Sequence, residues 1–117
     1  MDVARGELFW IAADGDRGVD VPHPHVVVQD DVLNRSRLET VVVCALTSDL
    51  RKAGEPGNVM LDPGEGGLPK RSVVVVSQVS AVAKNRLGER IGALSGERVD
   101  QVLAGLAFQQ EAFLRGR

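Results

Sequence analysis

Thr40-Val41-Val42-Val43-Cys44-Ala45-Leu46-Thr47-Ser48 is the stretch that decides the fold. Its apolar run is rich in β-branched valine and has no polar alternation. That pattern predicts a strand buried on both faces. A second run, Val26-Val27-Val28, follows His23-Pro24-His25 and predicts a strand from about His25 to Gln29. Asp30 to Glu39 reads as the polar loop between them. Both histidines of the chain therefore stand at the mouth of one buried strand, and a hydroxyl pair closes the next.

Working outward, Glu7 to Ala12 predicts the first strand, and Asp14-Gly15-Asp16-Arg17-Gly18 a polar turn. Ser48 to Pro56 reads as loop with one helical turn, and Asn58 to Leu61 as a short strand. Asp62-Pro63-Gly64-Glu65-Gly66-Gly67 is a loop; it lacks the lysine–hydroxyl pair of a phosphate-binding loop. Ser72 to Val76 predicts another valine-rich strand, continuing through Gln78 to Val82. Arg90-Ile91-Gly92 makes a last short strand. Ser95 has the character of a helix N-cap, with Glu97 in the first turn. Val99, Val102, Leu103, Leu106, Phe113 and Leu114 then share one helical face, with Phe108 on the opposite side. Short strands followed by one amphipathic helix predict a mainly β domain. It is a strongly bent antiparallel sheet, or partly open barrel, with the helix packed on it.

The chain has 117 residues, enough for one domain with a modest core. No apolar run approaches a membrane span, and no basic region precedes an apolar core at the N-terminus. Cys44 is alone, so it has neither a disulfide partner nor companions for a zinc site. A cytoplasmic protein is the expectation. A net charge of −2 provides no global basic field for nucleic acid. The absence of tyrosine and the few aromatics argue against an aromatic stacking platform that holds single strands nonspecifically.

His23 and His25 have two readings. They are either edge residues of a strand or an acid–base pair on one strand face, since histidine exchanges protons near neutral pH. A metal centre finds no third ligand nearby, because Asp30 and Asp31 lie at the far end of the strand. The neighbouring hydroxyls Thr47 and Ser48 are suited to holding an anion.

Four patterns in order resemble the MazF/PemK family of toxins from type II toxin–antitoxin systems. Arg5-Gly6-Glu7-Leu8-Phe9-Trp10 looks like the family's opening strand. Pro24 to Asp31 is similar to its proline-led second strand, and Thr40 to Ser48 to the strand ending in Leu-Thr-Ser. Ser72 to Arg90 is similar to the long strand and its basic turn, with Ala81 where the family has threonine. The resemblance covers Arg5 to about Gln110 and implies one domain over 1–117.

The resemblance implies an SH3-like, partly open barrel of the CcdB/PemK type with a C-terminal helix, assembled as a homodimer. It implies a metal- and cofactor-independent endoribonuclease that cleaves single-stranded RNA at short preferred sequences, and a cognate antitoxin as partner. The 2′-hydroxyl attacks the adjacent phosphorus, leaving a 2′,3′-cyclic phosphate and a 5′-hydroxyl. The alternative is a non-catalytic protein of the same fold that binds an antitoxin or another target such as gyrase.

The family's arginine before the second-strand proline is His23 here, and Ser77 stands where some relatives carry an acid. The expected catalytic set is therefore His25 and His23 as acid and base, Thr47 and Ser48 as hydroxyl donors, and Arg17 for the phosphorane charge. Asp20, Gln78, Lys84 and Arg86 fall on motif positions expected to bind substrate. Two histidines of ordinary pKa, about 6.5, predict an activity peak near about pH 6–7.

Overall fold

The computed structural model describes residues 2–12 and 21–115 of the chain. Its strands are β1 (Glu7–Ile11), β2 (His23–Val27), β3 (Thr40–Thr47), β4 (Val59–Leu61), β5 (Ser72–Ala83) and β6 (Arg90–Ala93). Helix α1 (Asp31–Asn34) is one turn, and α2 (Gly96–Arg115) is the long C-terminal helix. All six strands form one antiparallel sheet in the order β4-β5-β3-β2-β1-β6. This is the expected mainly β architecture, a curled half-barrel with one long C-terminal helix.

The valine runs are buried on both faces, as their lack of alternation requires. Leu8, Val26, Val28, Cys44 and Leu46 point into the larger core, with Val42 packed against it. Phe9, Ile11, Val27, Val41 and Val43 point the other way, into a smaller core with Val3 and Leu87. Each fully buried valine or leucine contributes about 1.5–3 kcal/mol by leaving water. Cys44 is a free thiol in the larger core, and burial pushes its pKa up to about 12.

The β3–β5 pairing breaks register between Cys44 and Leu46: Cys44 faces Val79, but Leu46 faces Val74. The extra residues on β5 reverse its in–out phase, so Val74 and Val79 both reach the larger core. Beyond the irregularity, Gln78, Ser80 and Val82 turn to the opposite face.

Closure comes from the 3-10 turn Glu65–Gly67, which packs on β6. A Cβ on Gly92 would collide with the carbonyl of Gly66, so the two backbones meet because neither residue has a side chain. Arg98 of α2 locks the turn through two 2.9 Å hydrogen bonds to the Glu65 carboxylate. That guanidinium, with the Asp62 backbone N–H, holds the Glu65 carboxyl below its ordinary pKa.

Ser95 caps α2 as expected, its Oγ accepting from the Arg98 N–H at 3.2 Å. Val99, Val102, Leu103 and Leu106 pack on the larger core. Leu114 does not: it is 63% exposed, because the helix outruns the strands it crosses. The Phe113 side chain lies outside the described residues. Phe108 is exposed on the other side, as its position predicted, above a shallow groove with Pro56 and Met60.

The expected Asp30–Glu39 loop contains α1. Asp30 caps it by accepting from the Val32 N–H at 2.8 Å. Behind it lies a buried polar network in which Gln29 Nε2 donates to Asn34 Oδ1 at 2.9 Å. Asn34 Nδ2 donates in turn to the Gln29 carbonyl at 2.9 Å and to Asp31 Oδ1 at 3.0 Å. The Arg5 backbone N–H donates to the same Asp31 oxygen at 2.7 Å and, with Asn34, holds that carboxyl below its ordinary pKa. Every buried side-chain nitrogen and oxygen among the described residues has a partner.

Candidate active site

Past Val27 and Val43 the smaller core opens into a cleft in which Ile11, Ala45 and Val82 stand beside polar side chains. Strand register places the histidines there: His25 stands between Phe9 and Ala45, and His23 opposite Ile11. Strand alternation keeps both rings on the face of Val27. On β3 the same face continues to Ala45 and Thr47. The cleft holds about 390 Å³ and brings His23, His25, Thr47, Gln78 and Arg86 together.

β2 begins at His23, two residues earlier than expected, with Pro24 inside the strand. Its partner Trp10 donates its backbone N–H to Glu89 and accepts at its carbonyl from Gly88, both on the β6 side. Pro24 therefore faces no acceptor on β1 that needs an N–H. Pairing with β3 starts only at His25, so the missing donor costs nothing there either.

His25 is half-buried, and its Nδ1 lies 2.8 Å from the His23 carbonyl oxygen. A carbonyl only accepts, so Nδ1 carries the hydrogen and Nε2 is left with its lone pair. Burial pushes the His25 pKa below 6.5; the backbone hydrogen bond opposes this, and the charges of His23 and Arg86 add to it. The neutral ring is thus the favoured form at neutral pH, the form a proton acceptor needs.

Thr47 Oγ1 accepts from the Asp49 N–H at 3.1 Å. This orients the hydroxyl and leaves its hydrogen available to an anion. Arg86 sends a guanidinium hydrogen bond to the Ala12 carbonyl at the edge of the cleft. Gln78 is exposed on the cleft wall.

Lys84 and Ser48 go elsewhere. The 3-10 turn Lys84–Arg86 sends neighbouring cations in different directions, and Lys84 Nζ donates to the Asn34 carbonyl at 3.0 Å. It anchors α1 to the end of β5, away from the cleft. Ser48, one residue beyond Thr47, falls on the opposite strand face and lines a separate slot with Trp10 and Pro24. Arg17 and Asp20 lie outside the described residues.

Two cleft residues were not anticipated. Ser80 follows Gln78 at strand spacing, a signal that alternation offered. Lys52 reaches the cleft from the 3-10 turn Leu50–Gly54, and its Nζ is 3.0 Å from Glu55 Oε2. No spacing rule predicted that approach. Among the described residues, no three His, Cys, Asp or Glu side chains gather in a way that could hold a metal ion. No described helix is long and apolar enough to cross a membrane.

Residues 4–109 match the family described as PemK-like, MazF-like toxin of type II toxin–antitoxin system, and the chain belongs to it. Endoribonuclease MazF2 of Mycobacterium bovis is 33% identical over 108 residues, covering 91% of this chain and 95% of that relative. Endoribonuclease EndoA of Bacillus subtilis is 31% identical over 107 residues, covering 87% and 89%. A solved endoribonuclease in complex with its cognate antitoxin, from a mycobacterial species, superposes with a TM-score of 0.73 at 23% identity, covering 91% of this chain and 92% of that one. The MazE–MazF structure from Deinococcus radiodurans gives a TM-score of 0.77 at 19% identity, covering 95% and 98%. These two likenesses are of fold.

Proposed function

We propose that this protein is the toxin of a toxin–antitoxin pair and a metal-independent endoribonuclease of single-stranded RNA. The observation that carries the reading is the convergence of His25, His23 and Thr47 in one cleft, in a chain whose relatives are endoribonucleases. His25 Nε2 takes the proton of a ribose 2′-hydroxyl. The freed oxygen attacks the adjacent phosphorus, and the bond to the 5′-oxygen breaks. His23, exposed at the cleft mouth, returns a proton to that leaving oxygen. The products are a 2′,3′-cyclic phosphate and a 5′-hydroxyl end. The Thr47 hydroxyl donates to a non-bridging oxygen, and Arg86 and Lys52 supply positive charge to the cleft as the phosphorane forms. Arg17 adds to that charge.

The protein acts in the cytoplasm, as a homodimer, and its antitoxin silences it by occupying the RNA path. The test is incubation with a long single-stranded RNA in EDTA, beside His25→Ala and Thr47→Ala. Discrete fragments with 5′-hydroxyl ends, lost in both variants, are the expected result. Intact RNA at high protein concentration overturns the reading and leaves a binding protein of the same fold.

A further inference from the structure

The slot that receives Ser48 backs onto the cleft. It holds about 190 Å³ and shares His23, Leu46 and Thr47 with the cleft as a common rim. Register explains the division. Ile11 and His23 pair on one face of β1 and β2, and Trp10 and Pro24 pair on the other. Thr47, the last residue of β3, borders both, and Ser48 just beyond the strand lines the slot alone. The two sites are the two faces of the same strand ends, joined across one residue's width.

The walls of the slot are the half-buried Trp10, Pro24 and the Leu68-Pro69 segment. These are flat, rigid and apolar. Its polar groups are few: Ser48, Ser72 and, at the rim, Lys70. Ser72 is buried, and its Oγ donates to the Lys70 carbonyl at 3.1 Å, which leaves the oxygen's lone pairs to accept. The exposed Lys70 ammonium makes no ion pair among the described residues. An apolar slot with one aromatic wall and a buried acceptor matches a nucleobase, which is flat, stacks, and carries N–H groups on its edge. The scarcity of aromatics excludes a platform for many bases, but one slot needs only one ring.

We infer that this slot holds the base of a nucleotide flanking the cleaved phosphate, stacked on Trp10, with its N–H edge toward Ser72 and its phosphate near Lys70. The inference rests on the proposed RNA cleavage and names its specificity pocket. Cleavage preference at one position next to the scissile bond is then set on the face of the sheet opposite His25.

Trp10 is the chain's single tryptophan, so it reports its own occupancy. The probe is a short RNA spanning a cleavage site mapped with the active protein, made uncleavable by a 2′-deoxy sugar at the scissile nucleotide. Its titration should quench Trp10 fluorescence. An abasic residue at one position beside the scissile bond should abolish the quench and weaken binding about tenfold, while abasic residues elsewhere leave the quench intact. Trp10→Phe should retain the cleavage preference and Trp10→Leu should flatten it at that one position, with KM rising more than kcat falls. RNA that is cleaved by the wild type but whose quench ignores every abasic position overturns the slot and leaves the nuclease standing. RNA that is never cleaved overturns the nuclease and takes the slot with it.

Discussion

His25 Nδ1 rests 2.8 Å from the carbonyl oxygen of His23, two residues back along the same strand. A backbone acceptor therefore chooses the tautomer of a side chain, and burial keeps that ring neutral at neutral pH. Both effects leave Nε2 unprotonated, with its lone pair free, at neutral pH. The acid limb of the cleavage rate should have its midpoint below 6.5, the ordinary value. Single-turnover rates measured from about pH 5 to about pH 8 should show this limb. Activity that is flat over that range removes His25 as the base.

The same shift has a consequence for stability. The unfolded chain binds the His25 proton more readily than the folded one, since burial lowers the folded pKa. Stability should fall as pH drops through 6.5 toward the lower folded value, and this group should add no pH dependence well above 6.5. His25→Asn should flatten part of that acid loss in urea melts taken at matched pH. An unchanged slope would assign the acid loss to other groups.

Thr47 presents a hydroxyl whose oxygen is already committed to the Asp49 N–H at 3.1 Å. Thr47→Val removes the donor and keeps the shape. The rate should fall by about a hundredfold to a thousandfold, while Thr47→Ser should retain most of it. Equal activity in all three proteins would remove the hydroxyl from the chemistry.

Lys84 belongs to the scaffold. Its bond to the Asn34 carbonyl closes the network of Gln29, Asn34 and Asp31. Lys84→Met should cost about 1–3 kcal/mol of stability and leave kcat unchanged in the surviving folded protein. Denaturant melts beside initial rates separate the two effects. A large loss of kcat with normal stability would return Lys84 to the substrate.

Gly92→Ala places a Cβ against the Gly66 carbonyl, where a backbone rather than a flexible side chain must yield. The closing turn should be forced off β6 at a cost of about 1–3 kcal/mol. Gly64→Ala offers a comparison, because a Cβ there meets nothing within 4 Å and only its left-handed φ of 89° is strained. Gly92→Ala melting no lower than Gly64→Ala would show that closure does not depend on this contact.

Most of the sheet was legible because burial on both faces leaves short unbroken runs, and their length and β-branched valines favour strand over buried helix. Less legible was anything set by one turn of chain. Helix α1 has four residues, too few for periodicity, and its Asp and Asn read as loop. Lys84 and Arg86 looked equivalent because a motif places them side by side, yet the intervening turn aims them differently. Ser48 was grouped with Thr47 by adjacency, although adjacent strand residues face opposite ways. Lys52 was invisible, since its place in the cleft depends on how the 3-10 turn Leu50–Gly54 folds back on β5.

Cys44 sits at the middle of β3, sealed in the larger core, with its thiol held up to about 12. The thiol of Cys44 is therefore shielded from oxidants and alkylating agents in the native fold, and an adduct on it records that the sheet has opened.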